Sequence, residues 1–120
     1  MSEFEKMREG EFYNPVEKGI VLKRTHARML ADRFNRTHAW NIIRRTHLIN
    51  KMFPHHGKGA FFEPPLHIEY GVNTTFGDDF FMNFNCMILD VSKVTIGDGV
   101  MFGPNVTIAT PVHPMLAEER

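Results

Sequence analysis

From Val94 to His113 the chain repeats every six residues, and this period constrains the fold more than any other feature. Ile96, Phe102 and Ile108 are large and apolar; Gly97, Gly103 and Ala109 follow them; Val100, Val106 and Val112 recur four places after each large residue. A period of six fits neither a helix nor a simple alternating strand. It fits a short strand followed by a corner, repeated, which is the pattern of a parallel β-helix. In that reading the large residue points inward and the small one lets the backbone turn. The valine fills the same core from the next face. The run ends at His113, in Val-His-Pro. A histidine at the end of a rigid coil is the strongest candidate for chemistry in the chain.

An earlier set of hexads occupies a different register. Tyr70, Phe76, Met82 and Ile88 are the large positions, with Thr74, Phe80, Cys86 and Ser92 four places on. Phe76-Gly77-Asp78 and Ile96-Gly97-Asp98 are 20 residues apart, three hexads and two extra residues. The register therefore slips by two, and an insertion at a corner near Asp90–Lys93 is expected. Three hexads make a triangular coil of about 18 residues, so residues 66–113 supply about two and a half coils. Residues 114–120 form a charged tail without repeat character. The coil is expected to stop in mid-fold, leaving an open edge.

The preceding residues read as helical from 1 to 56. Ser2 and Glu5 form a capping-box pair and Gly10 is a stop, giving a helix over 3–9. Tyr13-Asn14-Pro15 reads as a turn. Leu22, His26, Met29, Leu30 and Phe34 lie on one face of a helix over about 16–35, with Arg24, Arg28, Asp32 and Arg36 opposite. Thr37 can cap the next helix, whose stripe includes Ile42, Ile49 and Phe53 and which Pro54 closes. Residues 57–65 read as a linker. The helices are too short to stand alone and must pack on something.

Composition narrows the function. The formal net charge is zero and the pI near 7.1, so nothing general draws the chain to nucleic acid or a membrane surface. The N-terminus lacks the apolar stretch of a secretory signal, and no apolar run has transmembrane length. The single cysteine, Cys86, forms no internal disulfide and reads as a small core residue, so a reducing cytoplasm is the expected location. Six arginines, at 24, 28, 33, 36, 44 and 45, could suggest phosphate binding. A solvated helix face, balanced by acidic residues, is the preferred reading. His26 and His47 read as packing residues. The adjacent His55-His56 has no acid or cysteine partner and is a weak metal signal. Only His67 and His113 fall in the coils, too few for the three-histidine interface metal of γ-class carbonic anhydrases. No metal is expected.

Specific blocks carry a family resemblance. Phe81-Met82-Asn83-Phe84-Asn85-Cys86-Met87-Ile88-Leu89-Asp90, Val94-Thr95-Ile96-Gly97-Asp98, Gly103-Pro104-Asn105-Val106, His113-Pro114 and Ala117-Glu118-Glu119-Arg120 resemble the maltose O-acetyltransferases. The galactoside acetyltransferases are similar at a greater distance. Met7-Arg8-Glu9-Gly10-Glu11-Phe12-Tyr13 and Phe34-Asn35-Arg36-Thr37 resemble the small helical segment that precedes the coils there. The resemblance implies a mainly β fold, a left-handed parallel β-helix after a small α-helical segment. It also implies a homotrimer and acetyl transfer from acetyl-CoA to a sugar hydroxyl. The family continues for several more coils, which hold most of the CoA groove.

The resemblance also assigns residues. The family's catalytic histidine falls on His113 and its active-site asparagine on Asn83. Val91 stands where the galactoside enzymes have an acceptor-contacting acid, with Asp90 adjacent. Glu69 stands in place of an acceptor-contacting serine. Asn14 or Pro15 lies near the position of a sugar-touching acid. Phe81 is placed to pack or to line the sugar site. Chemically, a histidine with an ordinary pKa near 6.5 suits removal of the hydroxyl proton during attack on a thioester. Asn83 could position the acceptor or the acyl group. Asn85, Asp78 and Asp98 read as corner residues, because Asn and Asp tolerate or brace tight turns. The competing expectation is a catalytically inactive truncated remnant, or one half of a split enzyme that acts only with a partner chain.

Overall fold

The computed structural model describes residues 1–110. Three helices come first, α1 (Glu3–Arg8), α2 (Lys18–Asn35) and α3 (Ile42–Met52). Eight short strands follow: β1 (Phe61–Phe62), β2 (Leu66–Ile68), β3 (Thr74–Phe76), β4 (Phe81–Met82), β5 (Cys86–Leu89), β6 (Val94–Ile96), β7 (Met101–Phe102) and β8 (Thr107–Ala109). The strands stack in three parallel sheets, ordered β1-β4-β7, β2-β5-β8 and β3-β6. Each strand pairs with the third strand after it, so the chain winds as a three-faced parallel β-helix.

The register shows why the hexad pattern was readable. Phe61 aligns with Phe81 and Met101, Ile68 with Ile88 and Ile108, and Phe76 with Ile96. Burial alternates along each strand, so Leu66 and Ile68 are buried while His67 between them is exposed. The coil is 20 residues long rather than 18. The two-residue insertion expected at Asp90–Lys93 is present, and the same insertion occurs one coil earlier, between Ile68 and Phe76. Ile68, not Tyr70, is therefore the partner of Ile88. Tyr70 belongs to a smaller cluster with Phe4, Met7 and Ile20, where its ring meets Phe4 edge-on at 5.3 Å.

Residues 57–65 are not a linker. They hold β1 and the first corner of the coil, and Gly57 N–H donates to the Phe76 carbonyl at 2.8 Å. A Cβ on Gly57 would collide with Asp78 and the Gly77 backbone, so close stacking of corners requires glycine there. At other corners the left-handed residues other than glycine are Asp79, Asn85 and Asn105, with φ of 57°, 58° and 62°. Asn85 Nδ2 donates to Asn105 Oδ1 at 2.8 Å, linking one coil to the next. Asp98 Oδ1 accepts from Asp78 N–H at 2.7 Å, and Asp78 Oδ1 from Lys58 N–H at 2.8 Å. The corner roles read from the sequence for Asn85, Asp78 and Asp98 match these bonds.

The helical segment closes one end of the coil. Ser2 Oγ accepts from Glu5 N–H at 3.1 Å and Glu5 Oε2 accepts from Ser2 N–H at 3.3 Å, the expected capping box. α2 buries Ile20, Ala27, Leu30, Ala31 and Phe34, whereas Leu22 and Met29 are 59% and 49% exposed. The buried face is displaced from the expected stripe because two alanines let the helix approach β2 closely. His26 and His47 are exposed, so neither is a packing residue. Asn41, not Thr37, caps α3, its Oδ1 accepting from Arg44 N–H at 3.2 Å. α3 buries Leu48, Ile49 and Met52 and leaves Ile42 half exposed. Phe53, fully buried just past α3, stacks on Phe62 at 5.3 Å and meets Phe76 edge-on at 5.5 Å. Phe80 carries the aromatic contacts up the interior, to Phe76 at 4.9 Å and Phe102 at 5.7 Å. Cys86 is buried in this core, as expected.

Candidate functional site

The two inserted corners, 69–73 and 89–93, build the most polar feature of the coil. Asp90 is fully buried there. Its Oδ1 accepts from Tyr70 N–H at 2.9 Å and Gly71 N–H at 3.1 Å, and its Oδ2 accepts from Thr74 Oγ1 at 3.0 Å. Burial pushes the Asp90 carboxyl above the usual range, and these hydrogen bonds oppose the rise. Asn73 Nδ2 donates to the Asp90 carbonyl at 2.9 Å. Asp90 was expected near the sugar. Its side chain instead braces the corner, with both oxygens committed inside the protein.

Glu69 lies at the end of the β2-β5-β8 face. Arg28 of α2 grips it through Nη2, at 2.8 and 3.1 Å to its two oxygens. Arg28 is therefore not simply solvated, contrary to the sequence reading. The pair borders an open groove of about 350 Å³, lined among others by Asp32, His67, Met87 and Leu89. Two carboxylates, a guanidinium and an imidazole above an apolar floor can hydrogen-bond a polyhydroxylated ligand and pack its carbon face. No motif in the sequence marks Arg28 or His67 as a site residue. The signal was the outward register of β2, which sets His67 and Glu69 on one face and brings α2 over them.

Tyr13 packs against the cluster of Tyr70, with Val72 and Val91 beside it, so the loop carrying Asn14 reaches this same corner. Asn14 N–H donates to Glu3 Oε2 at 2.6 Å, and Asn14 Oδ1 accepts from Val16 N–H at 3.2 Å. The Asn14 bond, with Lys6, holds the Glu3 carboxyl below its ordinary value. Burial pushes the Tyr70 hydroxyl up, and Arg24 acts in the opposite direction.

Asn83 and Phe81 lie elsewhere. Asn83 follows β4 at the corner between the β1-β4-β7 and β2-β5-β8 faces, its N–H donating to the Phe102 carbonyl at 3.1 Å. Asn83 Oδ1 accepts from Phe84 N–H at 2.7 Å, and its Nδ2 has no protein partner among the described residues. Phe81 stacks outside the coil on Phe61 at 5.9 Å. Within one chain, then, Asn14, Glu69 and Asp90 gather at one end of the β5 face and Asn83 sits at the other. His113 lies outside the described residues. Among the described residues no three His, Cys, Asp or Glu side chains gather as a metal site, and no helix is long and apolar enough to cross a membrane.

The motif described as the maltose acetyltransferase hexapeptide capping motif matches residues 6–57, the helices that close the coil. A maltose O-acetyltransferase from Clostridium difficile 630 superposes on the whole chain with a TM-score of 0.97 at 37% identity. Along its whole length the chain is similar to maltose and galactoside O-acetyltransferases. The galactoside O-acetyltransferase of Escherichia coli K12 is 38% identical over 116 residues, 97% of this chain and 57% of that protein. A galactoside acetyltransferase solved in complex with coenzyme A covers the whole chain with a TM-score of 0.92 at 38% identity. The chain spans 64% of the Clostridium O-acetyltransferase and 60% of the coenzyme A complex, so it matches about six-tenths of these members of the family.

Proposed function

We propose that this chain contributes to an acetyl-CoA-dependent sugar O-acetyltransferase. The observation that carries the reading is the superposition of all described coils and helices on family members, one of them solved with coenzyme A. In this reading the coil is left-handed and the protein is a homotrimer. The separation of Asn83 from Glu69 along one face supports a shared site. Two subunits would complete it, one giving the Glu69 end with Asn14 and the groove, the other the Asn83 end with Phe81.

The chemistry is direct transfer. A neutral sugar hydroxyl is a weak nucleophile near pH 7, and His113 removes its proton as the oxygen attacks the thioester carbonyl. The carbonyl oxygen gains charge that hydrogen-bond donors must meet. Asn83 Nδ2, without a protein partner among the described residues, suits this role or that of holding the acceptor. The C–S bond then breaks, and the imidazolium returns its proton to the departing thiolate. Glu69, fixed by Arg28, accepts hydrogen bonds from acceptor hydroxyls, and Phe81 lines the apolar side.

A thiol-release assay with acetyl-CoA and maltose, glucose or a galactoside tests the reading. Sugar-dependent release, reduced about 10²-fold or more in His113→Ala, is expected. Release that is indifferent to both sugar and His113 would overturn it.

A further inference from the structure

The turn between α2 and α3 holds a cationic cleft that the proposed transferase reaction does not use. The cleft measures about 310 Å³ and is lined by Arg33, Arg36, Thr37, His38, Asn41 and Arg44. None of its three arginines forms an ion pair among the described residues. The sequence reading balanced the arginines with acidic residues, but the balance is not local. From Arg33 to Phe62 there is no Asp or Glu, while six lysines and arginines fall in that span. The nearest acid along the chain, Asp32, lines the separate groove beside Glu69.

No acidic group offsets the charge of this cleft among the described residues that line it. Arg44 sits in the first turn of α3, where the helix dipole disfavours a cation and where no acidic residue compensates. Arg33 and Arg36 line the same cleft. The frame beneath is rigid: Arg45 Nε donates to Thr37 Oγ1 at 2.9 Å, and Thr37 Oγ1 donates to the Phe34 carbonyl at 2.6 Å. Beside the cleft, His38 stacks on the exposed Trp40 with ring centroids 5.8 Å apart and planes 6° from parallel. Like charges held together on a braced turn, against the rule for helix ends, mark a place built for an opposite charge. Planar guanidinium groups match phosphate oxygens two at a time, and the flat aromatic pair offers a surface for a ring.

We propose that this cleft binds the phosphate group of a small phosphorylated molecule, a sugar phosphate in particular. The site is separate from the acetyl-transfer site, and it stands whether or not the chain transfers acetyl groups.

The test is an NMR titration of the ¹⁵N-labelled chain with glucose 6-phosphate, inorganic phosphate and glucose. Saturable shifts at residues 33–45 with glucose 6-phosphate are expected, and none with glucose. Affinity should fall at least tenfold in Arg33→Gln/Arg44→Gln and stay unchanged in Lys18→Gln. Equal binding of inorganic phosphate would support the anion site and name the free ion as its ligand. The proposal is overturned by absence of saturable shifts, by shifts that persist in the double variant, or by binding confined to a polyanion such as an oligonucleotide. All variants alter exposed side chains, and an unchanged amide spectrum outside the turn confirms that they fold.

Discussion

Asn35 holds the backbone of Leu66 at both ends of its side-chain amide. Nδ2 donates to the Leu66 carbonyl at 2.9 Å, and Oδ1 accepts from Leu66 N–H at 2.8 Å. The last residue of α2 thus treats the first residue of β2 as a neighbouring strand would. Asn35→Ala leaves both backbone groups part-buried and unpaired. A loss of about 1–3 kcal/mol is expected, read as a lower thermal midpoint. Asn35→Asp keeps the acceptor and loses the donor, so its midpoint should fall between the two.

Phe53 seals the coil from below. Phe53→Ala removes a fully buried ring that contacts both Phe62 and Phe76. The expected cost is about 3–5 kcal/mol by denaturant unfolding, with new binding of an apolar dye at the uncovered end.

Asp90 gives the corner a signed pH dependence. Its carboxyl is raised by burial, so the folded state binds the proton more tightly than the unfolded chain does. The stabilisation from this proton is full below the unfolded value of about 3.9 and is lost as pH rises through the raised folded value. Asp90→Asn keeps an oxygen for the Tyr70 and Gly71 N–H groups and carries no charge. Its thermal midpoint relative to wild type should therefore rise between about pH 4 and pH 7. A difference that stays flat over that range would contradict the buried-charge account.

Arg28 and Glu69 should separate stability from activity. The Arg28 side chain is 57% exposed and that of Glu69 18%, so the pair is worth only about 0–1 kcal/mol. Glu69→Ala should barely move the thermal midpoint. In the transferase assay it should raise the KM for the sugar more than it lowers kcat. Arg28→Ala, which frees the carboxylate without removing it, should have a smaller effect on KM.

The coil was legible because its period is a property of inward side chains, and Phe76, Met82, Ile88 and Ile96 announce it directly. The first coil was harder. Tyr70 is apolar and stands six residues before Phe76, so it imitated a hexad position while Ile68 was the inward residue. The segment 57–65 concealed a strand because β1 has only two residues, and its glycines read as flexibility rather than close stacking. The face of α2 was misjudged because alanine contributes little to an apolar stripe although it permits close approach. At the site, sequence could set Asp90 beside Val91 but not reveal that its carboxylate turns inward. The pairing of Arg28 with Glu69 joins residues far apart in the chain, and no local pattern records it.

The 20-residue register also sorts the chain into places that tolerate a change in length and places that do not. Deleting one residue inside β5 would reverse the inside and outside of what remains of that strand, sending Met87 into the core and Ile88 to the surface. A residue gained or lost at an inserted corner leaves the alternation of the flanking strands intact, provided that the Asp90 brace and the stacking of the neighbouring coil survive. Natural variation in length should therefore collect at corners such as 69–73 and 89–93, beside the groove. The segments most free to drift in length are then those best placed to alter what the groove accepts.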